Sequence, residues 1–183
     1  MAPQQEVLEH KKMDDAPAET TSPPPPRKIV WFNVFYMSLL HLFATYGVYL
    51  AASHALYKTL AWSVLLYLTG GLGVTAGAHR LWSHRSYKAK FPLRIFLMLM
   101  NCISGENSLY DWTRDHRVHH KFSETDADPH NACRGMFFAH VGWLLVRKHP
   151  DVITKGKNID LSDLKEDNVI MFQKRFVNNL CNL

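Results

Sequence analysis

Three histidines, His116, His119 and His120, fall within five positions of the segment 111–121, which reads DWTRDHRVHHK. On an α-helix they share an arc of about 100°, and Trp112 lies on the same face. Three cationic side chains flank them: Arg114, Arg117 and Lys121. Because cationic neighbours make a histidine harder to protonate, the rings should be neutral at pH 7. A neutral imidazole is a metal ligand, so this helix face predicts a metal site.

A second pair of histidines, His79 and His84, lies five residues apart in GAHRLWSHR. On a regular α-helix this spacing separates the two side chains by about 140°. One metal would not easily take both rings, whereas two neighbouring metals could each take one. The five histidines between positions 79 and 120 together predict a metal centre. Imidazole-rich sites of this kind suit iron, copper, zinc or nickel.

Two long uncharged runs precede all five of these histidines. The segment 29–57 holds 29 residues without Asp, Glu, Lys or Arg, and after Lys58 the segment 59–78 adds 20 more. A helix that crosses roughly 30 Å of hydrocarbon needs about 20 such residues. The runs predict two membrane spans joined by a turn near residues 53–57. Two buried helices of a soluble protein are the alternative, and it is disfavoured because so short a chain has too little polar surface to cover both.

The cations at the ends of the two runs predict their orientation. Arg27 and Lys28 precede the first span, and the turn between the spans carries only Lys58. Four cations follow the second span: Arg80, Arg85, Lys88 and Lys90. The positive-inside rule therefore places both ends in the cytosol. A shorter apolar run at 95–103 indicates a helix that lies in or under the membrane interface, and the mixed sequence beyond it should be cytosolic.

The rest of the composition limits the class of protein to which this chain can belong. Residues 1–26 hold five acids, two lysines and a PPPP run, so we expect residues 1–28 to form a disordered tail. The net charge of +5 suits anionic lipid, nucleic acid or a phosphorylated small molecule. The three cysteines are far apart, which predicts reduced thiols rather than a disulfide framework. These features predict an all-α membrane protein with a two-span hairpin at 29–78 and a helical cytosolic histidine region at 79–183.

The position of the histidines beside two apolar helices narrows the chemistry. Zinc needs four ligands or fewer and would not account for ligands in several groups at a membrane. A pair of irons held by neutral imidazoles can activate dioxygen for removal of hydrogen from an unactivated C–H bond, which acid–base side chains cannot do. A lipid chain is the substrate most naturally presented at this place. We therefore expect oxygen-dependent oxidation of a lipid.

Three segments resemble the membrane-bound acyl-CoA desaturases, in particular the animal stearoyl-CoA (delta-9) type and its insect relatives: GAHRLWSHRSYKA, DWTRDHRVHHKFSETDADPHN and HVGWLLVRKHP. The resemblance extends from about Trp31 to Arg175. It implies a four-span protein of the endoplasmic reticulum membrane with two irons in a cytosolic cap. It also implies a long-chain acyl-CoA substrate, a cis double bond in the product, and electrons from an NADH-dependent reductase through a b-type cytochrome. Membrane lipid and further desaturase copies are the other expected partners, and nucleic acid is not.

By position, the resemblance implies five iron ligands: His79, His84, His116, His119 and His120. It implies that Asn33 contacts the pantetheine end of the substrate and that Asn107 and Trp112 position the acyl chain near its bend. Four further residues would contact CoA, two at the nucleotide and two at the phosphates: Arg114, Asp115, Arg147 and Lys148. Three other histidines match no ligand position, and we expect them to make local hydrogen bonds: His130, His140 and His149.

The family pattern continues with two further spans and a third histidine group, which these 183 residues do not contain. Two irons with about four or five nitrogen ligands each would need about eight to ten donors, and the matched motifs supply five. We therefore expect a partial, C-terminally truncated desaturase fold that is inactive alone. Two alternatives stay open: another di-iron membrane enzyme such as a lipid hydroxylase, and a non-catalytic short form that associates with a full-length desaturase.

Overall fold

The structure is a computed structural model that describes residues 27–181. Within this range the chain is helical, and the only β-type pairing is one isolated bridge between Ile29 and Val146. The prediction of an all-α fold is therefore confirmed. All but the last two residues of the expected disordered tail, 1–28, lie outside the described residues.

Eight α-helices follow one another in the described residues. They are α1 (Trp31–Ser53), α2 (Tyr57–Leu72), α3 (Phe91–Ser104), α4 (Leu109–Lys121), α5 (Met136–His140), α6 (Pro150–Gly156), α7 (Ser162–Glu166) and α8 (Asn168–Cys181). Helix α2 continues directly into a π-helix, Gly73–Ser83. Two short 3₁₀-helices, Ala132–Arg134 and Gly142–Leu145, lie on either side of α5.

Two helices are long and apolar enough to cross a membrane. They are α1, with 23 residues, and the continuous helix Tyr57–Ser83, with 27 residues. The break between them, at residues 54–56, falls where the sequence predicts a turn. None of the residues of α1 is buried, so its apolar side chains form an outer surface. The second helix runs five residues past the predicted boundary at 78, so it carries His79 and ends just before His84.

Helix α3 packs tightly along this second helix. A Cβ atom on Gly73 would lie 2.2 Å from the backbone nitrogen of Asn101, so the two backbones can approach this closely only because residue 73 is a glycine. Leu97 and Met100 of α3 are buried in the contact, whereas Phe96 and Leu99 are exposed. The apolar run predicted to lie at the membrane interface is thus a helix with one packed face and one open face.

The second half of the chain folds against α3 and α4. Leu109, Leu164 and Ile170 of α4, α7 and α8 are fully buried together, and each contributes about 1.5–3 kcal/mol through burial of its side chain. The side-chain oxygen of Gln173 accepts the N–H of Leu109 at 2.9 Å. These contacts fix α4, which carries most of the histidines, on a rigid base.

The segment 144–147 is held at the start of α1 by three hydrogen bonds. Val30 donates its N–H to Leu145 O, and Arg147 donates its N–H to Lys28 O, both at 2.9 Å. The side-chain amide of Asn33 donates to Leu144 O at 2.7 Å. The segment 144–147 therefore lies at the N-terminal end of the first span, beside the start of α4.

Candidate metal centre and substrate clefts

The first histidine pair lies at the end of the π-helix. A π-helix pairs each N–H with the carbonyl five residues earlier, and His84 accordingly donates its N–H to His79 O at 3.0 Å. This wider turn brings residues five apart onto one face, so the Nε2 atoms of His79 and His84 lie 3.1 Å apart. The prediction that one metal would not easily take both rings is wrong, because it assumed the 3.6-residue turn of an α-helix.

Helix α4 supplies the facing histidines. His116 and His120 lie one turn apart, with Nε2 atoms 3.0 Å apart, and the Nε2 of His84 lies 3.1 Å from that of His116. Together with His79 these residues form the four-histidine cluster, in which one ring nitrogen from each lies within 4.8 Å of all the others. The structure thus brings four of the five predicted ligands to one point.

The donor atoms are close enough to share one metal ion. Three of the Nε2 separations in the four-histidine cluster are 3.0–3.1 Å. A donor set made only of imidazoles suits iron, copper, zinc or nickel.

The α4 rings of the four-histidine cluster are uncharged at neutral pH. Burial, together with the neighbouring histidines, lowers the pKa of His116 to about 3. The pKa of His120 is lowered in the same way, by burial and then by His84 and His119. The sequence argument attributed this neutrality to nearby cations, but Arg114 and Arg117 are paired with aspartates. The physical cause is instead burial and the crowding of the rings themselves.

His119 lies apart from the four-histidine cluster and joins a second group with Asp128 and His130. Its Nδ1 lies 2.9 Å from the carboxylate of Asp128, and its ring centroid lies 4.2 Å from that of His130. The donor atoms of these three residues lie within 4.8 Å of one another. His130 thus belongs to a group that could hold a metal ion, and its expected role in a local hydrogen bond stays a prediction. His149 makes a local contact of the expected kind, because its Nδ1 accepts the Asp151 N–H at the start of α6.

A cleft of about 510 Å³ lies between the start of α1 and the start of α4. Three predicted substrate-contacting residues line it: Asn33, Asn107 and Trp112. The indole of Trp112 stacks on His116, with ring centroids 4.9 Å apart and planes inclined by 18°, and its Nε1–H donates to Glu106. Trp112 therefore forms the wall shared by the cleft and the cluster.

A second cleft, of about 440 Å³, lies on the other side of α4. Arg114, Asp115 and Lys148 line it, as the resemblance implies for a nucleotide site. Burial alone would lower the pKa of Arg114, but Asp115 and Asp111 outweigh it and raise that pKa. Lys148 forms a close ion pair with Asp115. Cationic side chains and one carboxylate thus converge on a cavity large enough for a small molecule.

Arg147 does not share this second cleft. It lines a smaller cavity of about 20 Å³, in which two other arginines, Arg27 and Arg134, also lie. Lys148 borders both spaces. The predicted basic pair therefore meets at the smaller cavity, and only Lys148 also lines the second cleft.

Sequence reasoning missed the carboxylates that hold these side chains in place. Asp163 of α7 accepts two hydrogen bonds from Arg117, at 2.6 and 2.9 Å. Asp128 and Glu106 hold His119 and Trp112 in the same way. Asp128 had a signal, since it lies in the DADPHN segment just after the histidines. Asp163 had none, because its partners lie 46 and 78 positions away.

Comparison with known proteins shows that this chain is similar to acyl-CoA desaturases. It is 62% identical over 150 residues to an acyl-CoA Delta-9 desaturase of Acheta domesticus, an alignment that covers 82% of this chain and 42% of the relative. It is 64% identical over 158 residues to an acyl-CoA desaturase of Cyprinus carpio, covering 86% and 48%. It is 58% identical over 154 residues to the stearoyl-CoA desaturase of Homo sapiens, covering 84% and 43%.

The chain spans somewhat less than half the length of these curated relatives. No protein-family model matches it. Each alignment covers more than 80% of the chain. Alignments of this length include residues of both histidine groups and of both spans.

Proposed function

Because this chain belongs to the acyl-CoA desaturase family, we propose that it supplies the metal centre and the acyl-CoA-binding surface of a fatty acid desaturase. The reaction would insert a cis double bond into a long-chain fatty acyl-CoA and consume dioxygen. We expect the delta-9 position, which is the one in the name of the cricket relative. The proposal makes the protein an oxidoreductase of fatty acid biosynthesis.

One observation carries this proposal. Four imidazoles converge at the end of a membrane-spanning helix, and Trp112 packs on one of them while it lines an adjacent cleft. A metal at the four-histidine cluster would thus lie behind the wall of a cavity that opens toward the first span. An acyl chain in this cavity would lie near the metal, on the other side of the Trp112 ring.

Two irons are the proposed cofactor. The four-histidine cluster would hold one iron, and His119 would contribute to the second. When bound, the irons supply the activation of dioxygen that acid–base side chains cannot provide. The chain's own part is to keep the ring nitrogens unprotonated through burial, and to cover one side of the cluster with the stacked Trp112 ring.

The two clefts would divide the substrate between them. Arg114 and Lys148 would contact CoA phosphates, because guanidinium and ammonium groups bind phosphate through charge-assisted hydrogen bonds. Asp115 would accept hydrogen bonds from the nucleotide. Asn33 and Asn107 would contact the pantetheine and the start of the acyl chain in the cleft bounded by Trp112. Arg147, in the separate small cavity, would contribute positive charge at longer range.

The endoplasmic reticulum membrane is the proposed location, with both ends of the chain in the cytosol. The basic net charge of +5 would attract an acidic electron carrier to this side by electrostatic steering. A b-type cytochrome, reduced by its NADH-dependent reductase, is the proposed donor. Membrane lipid and other desaturase copies are the remaining proposed partners, and nucleic acid is not among them.

The chain alone should bind metal weakly and lack turnover. Two irons with about four or five nitrogen ligands each need about eight to ten donors, and the described residues offer five histidines at the positions that the family uses. Incomplete coordination lowers metal affinity. We therefore expect the 183-residue chain to show substrate binding but no measurable desaturation unless a longer desaturase completes the site.

The test is to measure three quantities on the purified chain: iron content after reconstitution, affinity for stearoyl-CoA, and formation of the unsaturated product. Arg114→Ala should weaken stearoyl-CoA binding by about 10- to 100-fold, whereas Lys121→Ala, an exposed cation of the same helix, should not. His116→Ala should reduce the iron content, and the exposed His140→Ala should not.

The outcomes separate the alternatives. Iron binding without affinity for acyl-CoA would favour a lipid hydroxylase. Absence of both, together with altered assembly of a full-length desaturase mixed with the chain, would favour the non-catalytic short form. Desaturation by the isolated chain would contradict the expectation of inactivity, though not the assignment of substrate and metal.

A further inference from the structure

The carboxylate of Asp128 is the most completely enclosed charged group near the histidines. Only 1% of its side chain is exposed. Its Oδ1 accepts the N–H of His130 at 3.1 Å, and its Oδ2 accepts the N–H of Glu124 at 3.1 Å. Nδ1 of His119 lies 2.9 Å from the same Oδ1. Both oxygens thus face N–H donors, which is the arrangement of an ionised carboxylate that only accepts hydrogen bonds.

The contact with Asp128 decides which nitrogen of His119 carries the proton. An acceptor-only carboxylate requires a hydrogen on Nδ1 of the ring it contacts. In the neutral ring Nε2 then keeps its lone pair, which is the form that binds a metal. Without this contact, the proton could sit on Nε2 and block the donor atom. The orientation of the ring about its own axis is fixed at the same time.

The loop after α4 holds Asp128 in place independently of His119. Asp128 donates its own N–H to Thr125 O at 3.1 Å, and the side-chain amide of Asn131 donates to the same carbonyl at 2.8 Å. Glu124 adopts a left-handed backbone conformation, with φ of 64°, which turns its N–H toward the carboxylate. The carboxylate is therefore held in one position, and its contact with Nδ1 orients the His119 ring.

We propose that Asp128 is a positioning residue that holds His119 as its Nδ1–H tautomer and aims Nε2 at a second metal, separate from the metal of the four-histidine cluster. The inference rests on the proposed function in that it takes His119 to be a ligand. It adds that different contacts hold the ligands of the two metals. Crowded neighbouring rings surround the ligands of one metal, and a buried carboxylate orients His119 toward the other. His130, with its ring against His119, packs beside the pair without ligating.

The first test reads the tautomer directly in metal-free protein. Histidine labelled with ¹⁵N distinguishes a protonated from an unprotonated Nδ1 by chemical shift, and His119→Ala identifies the His119 signals by their loss. We expect Nδ1–H in the unaltered chain and a shift of population toward Nε2–H in Asp128→Leu, which removes both acceptor oxygens. The matched control is Asp126→Leu, whose carboxylate lies two residues away, is about half exposed and pairs with Arg134. It should leave the tautomer unchanged.

The second test is a cobalt(II) titration followed by visible absorption. Asp128→Leu should weaken one class of site by about 10- to 100-fold and leave the class that depends on His116 unaltered. Asp128→Glu, which keeps the charge, should restore the Nδ1–H tautomer even where the loop is less stable. A role in loop stability alone would lower the thermal midpoint without moving the tautomer.

Two results would overturn the inference. One is the same His119 tautomer in Asp128→Leu as in the unaltered chain. The other is loss of a cobalt site in His130→Ala as complete as in His119→Ala, since His130 and Asp128 would then be ligands themselves. A chain that binds no cobalt at all would instead count against the proposed metal function, and the tautomer comparison would still decide the role of Asp128.

Discussion

Arg117 joins three elements through a single side chain. Its guanidinium donates to Asp163 of α7 and, at 2.7 Å, to the carbonyl of Trp82 at the end of the π-helix. Arg85 binds the other side of the same carboxylate, at 2.8 and 2.9 Å. Asp163 therefore neutralises two arginines next to the four-histidine cluster, whose rings must stay unprotonated to bind metal.

Replacing Asp163 should cost stability in a pH-dependent way. Burial would raise the pKa of this carboxyl, but hydrogen bonds from Arg117 and Arg85 outweigh it and hold the pKa at about 2, below the ordinary value of 3.8. The ion pair therefore stabilises the fold above about pH 4 and loses this effect as the pH falls through about 2. Because the carboxylate is one-third exposed, solvent screening limits the effect, and Asp163→Asn should lower the unfolding free energy by about 1–2 kcal/mol at pH 7.

Chemical unfolding of both chains between pH 7 and pH 2 would measure this difference. It should be constant from pH 7 to about pH 4 and shrink below that. Glu166→Gln, an exposed acid of the same helix, serves as the control and should change stability little at any of these pH values. A loss in Asp163→Asn that persists undiminished at pH 2 would show that the charge is not the source of the stabilisation.

Among the secondary-structure elements, the contact between α3 and the start of the π-helix is the tightest. A methyl group on Gly73 would come within 2.2–2.7 Å of three backbone atoms of Met100 and Asn101. Backbone atoms cannot move aside as a flexible side chain can. The position of the histidine pair relative to α3 thus depends on the absence of one carbon atom.

Gly73→Ala should therefore destabilise the protein by about 1–3 kcal/mol or more, because the two helices must separate to admit the methyl group. Gly71→Ala is the matched control, since a Cβ on that nearby residue would meet no atom within 4 Å. Alanine has the higher helix propensity, by about 1 kcal/mol, so the control should be neutral or stabilising. Thermal unfolding in detergent micelles would compare them, and equal midpoints for the two variants would contradict the packing argument.

The same elements show which features of the fold and of the candidate site could be predicted from the sequence alone. The lack of charge at 29–57 and 59–78 was enough to predict both spans, because a bilayer imposes its own length. The shared face of His116 and His120 followed from the α-helical period. The pairing of His79 with His84 could not follow, since an i to i+5 hydrogen-bond pattern leaves no periodic signal over one turn. Asp128 and Asp163 depend on tertiary contacts that no local pattern contains.

For the whole molecule, the arrangement of cations around the two spans sets the proposed orientation. Lys58 lies in the first turn of α2, after the short break that follows Ser53. The histidines, both clefts and the segment 144–147 lie at the opposite ends of the spans, as the contact of Val30 with Leu145 indicates. The proposed chemistry and the proposed cytosolic ends therefore belong to the same side of the membrane.

Cysteine labelling in sealed microsomes would test this orientation. The native cysteines, Cys102, Cys133 and Cys181, would first be replaced by serine. A membrane-impermeant maleimide should then label Lys121→Cys in intact vesicles and Lys58→Cys only after permeabilisation, because the two positions face opposite compartments. Labelling of Lys58→Cys in intact vesicles would contradict the proposed orientation.

The π-helical end of the second span has a consequence for variation in length. Five residues on a π-helix and four on an α-helix both return a side chain to nearly the same bearing. A deletion of one residue between His79 and His84 could therefore let this stretch relax into ordinary α-helical geometry while the two imidazoles remain adjacent. Homologues that differ by one position here would preserve an equivalent donor pair, and an alignment gap at this point would not signify a lost ligand.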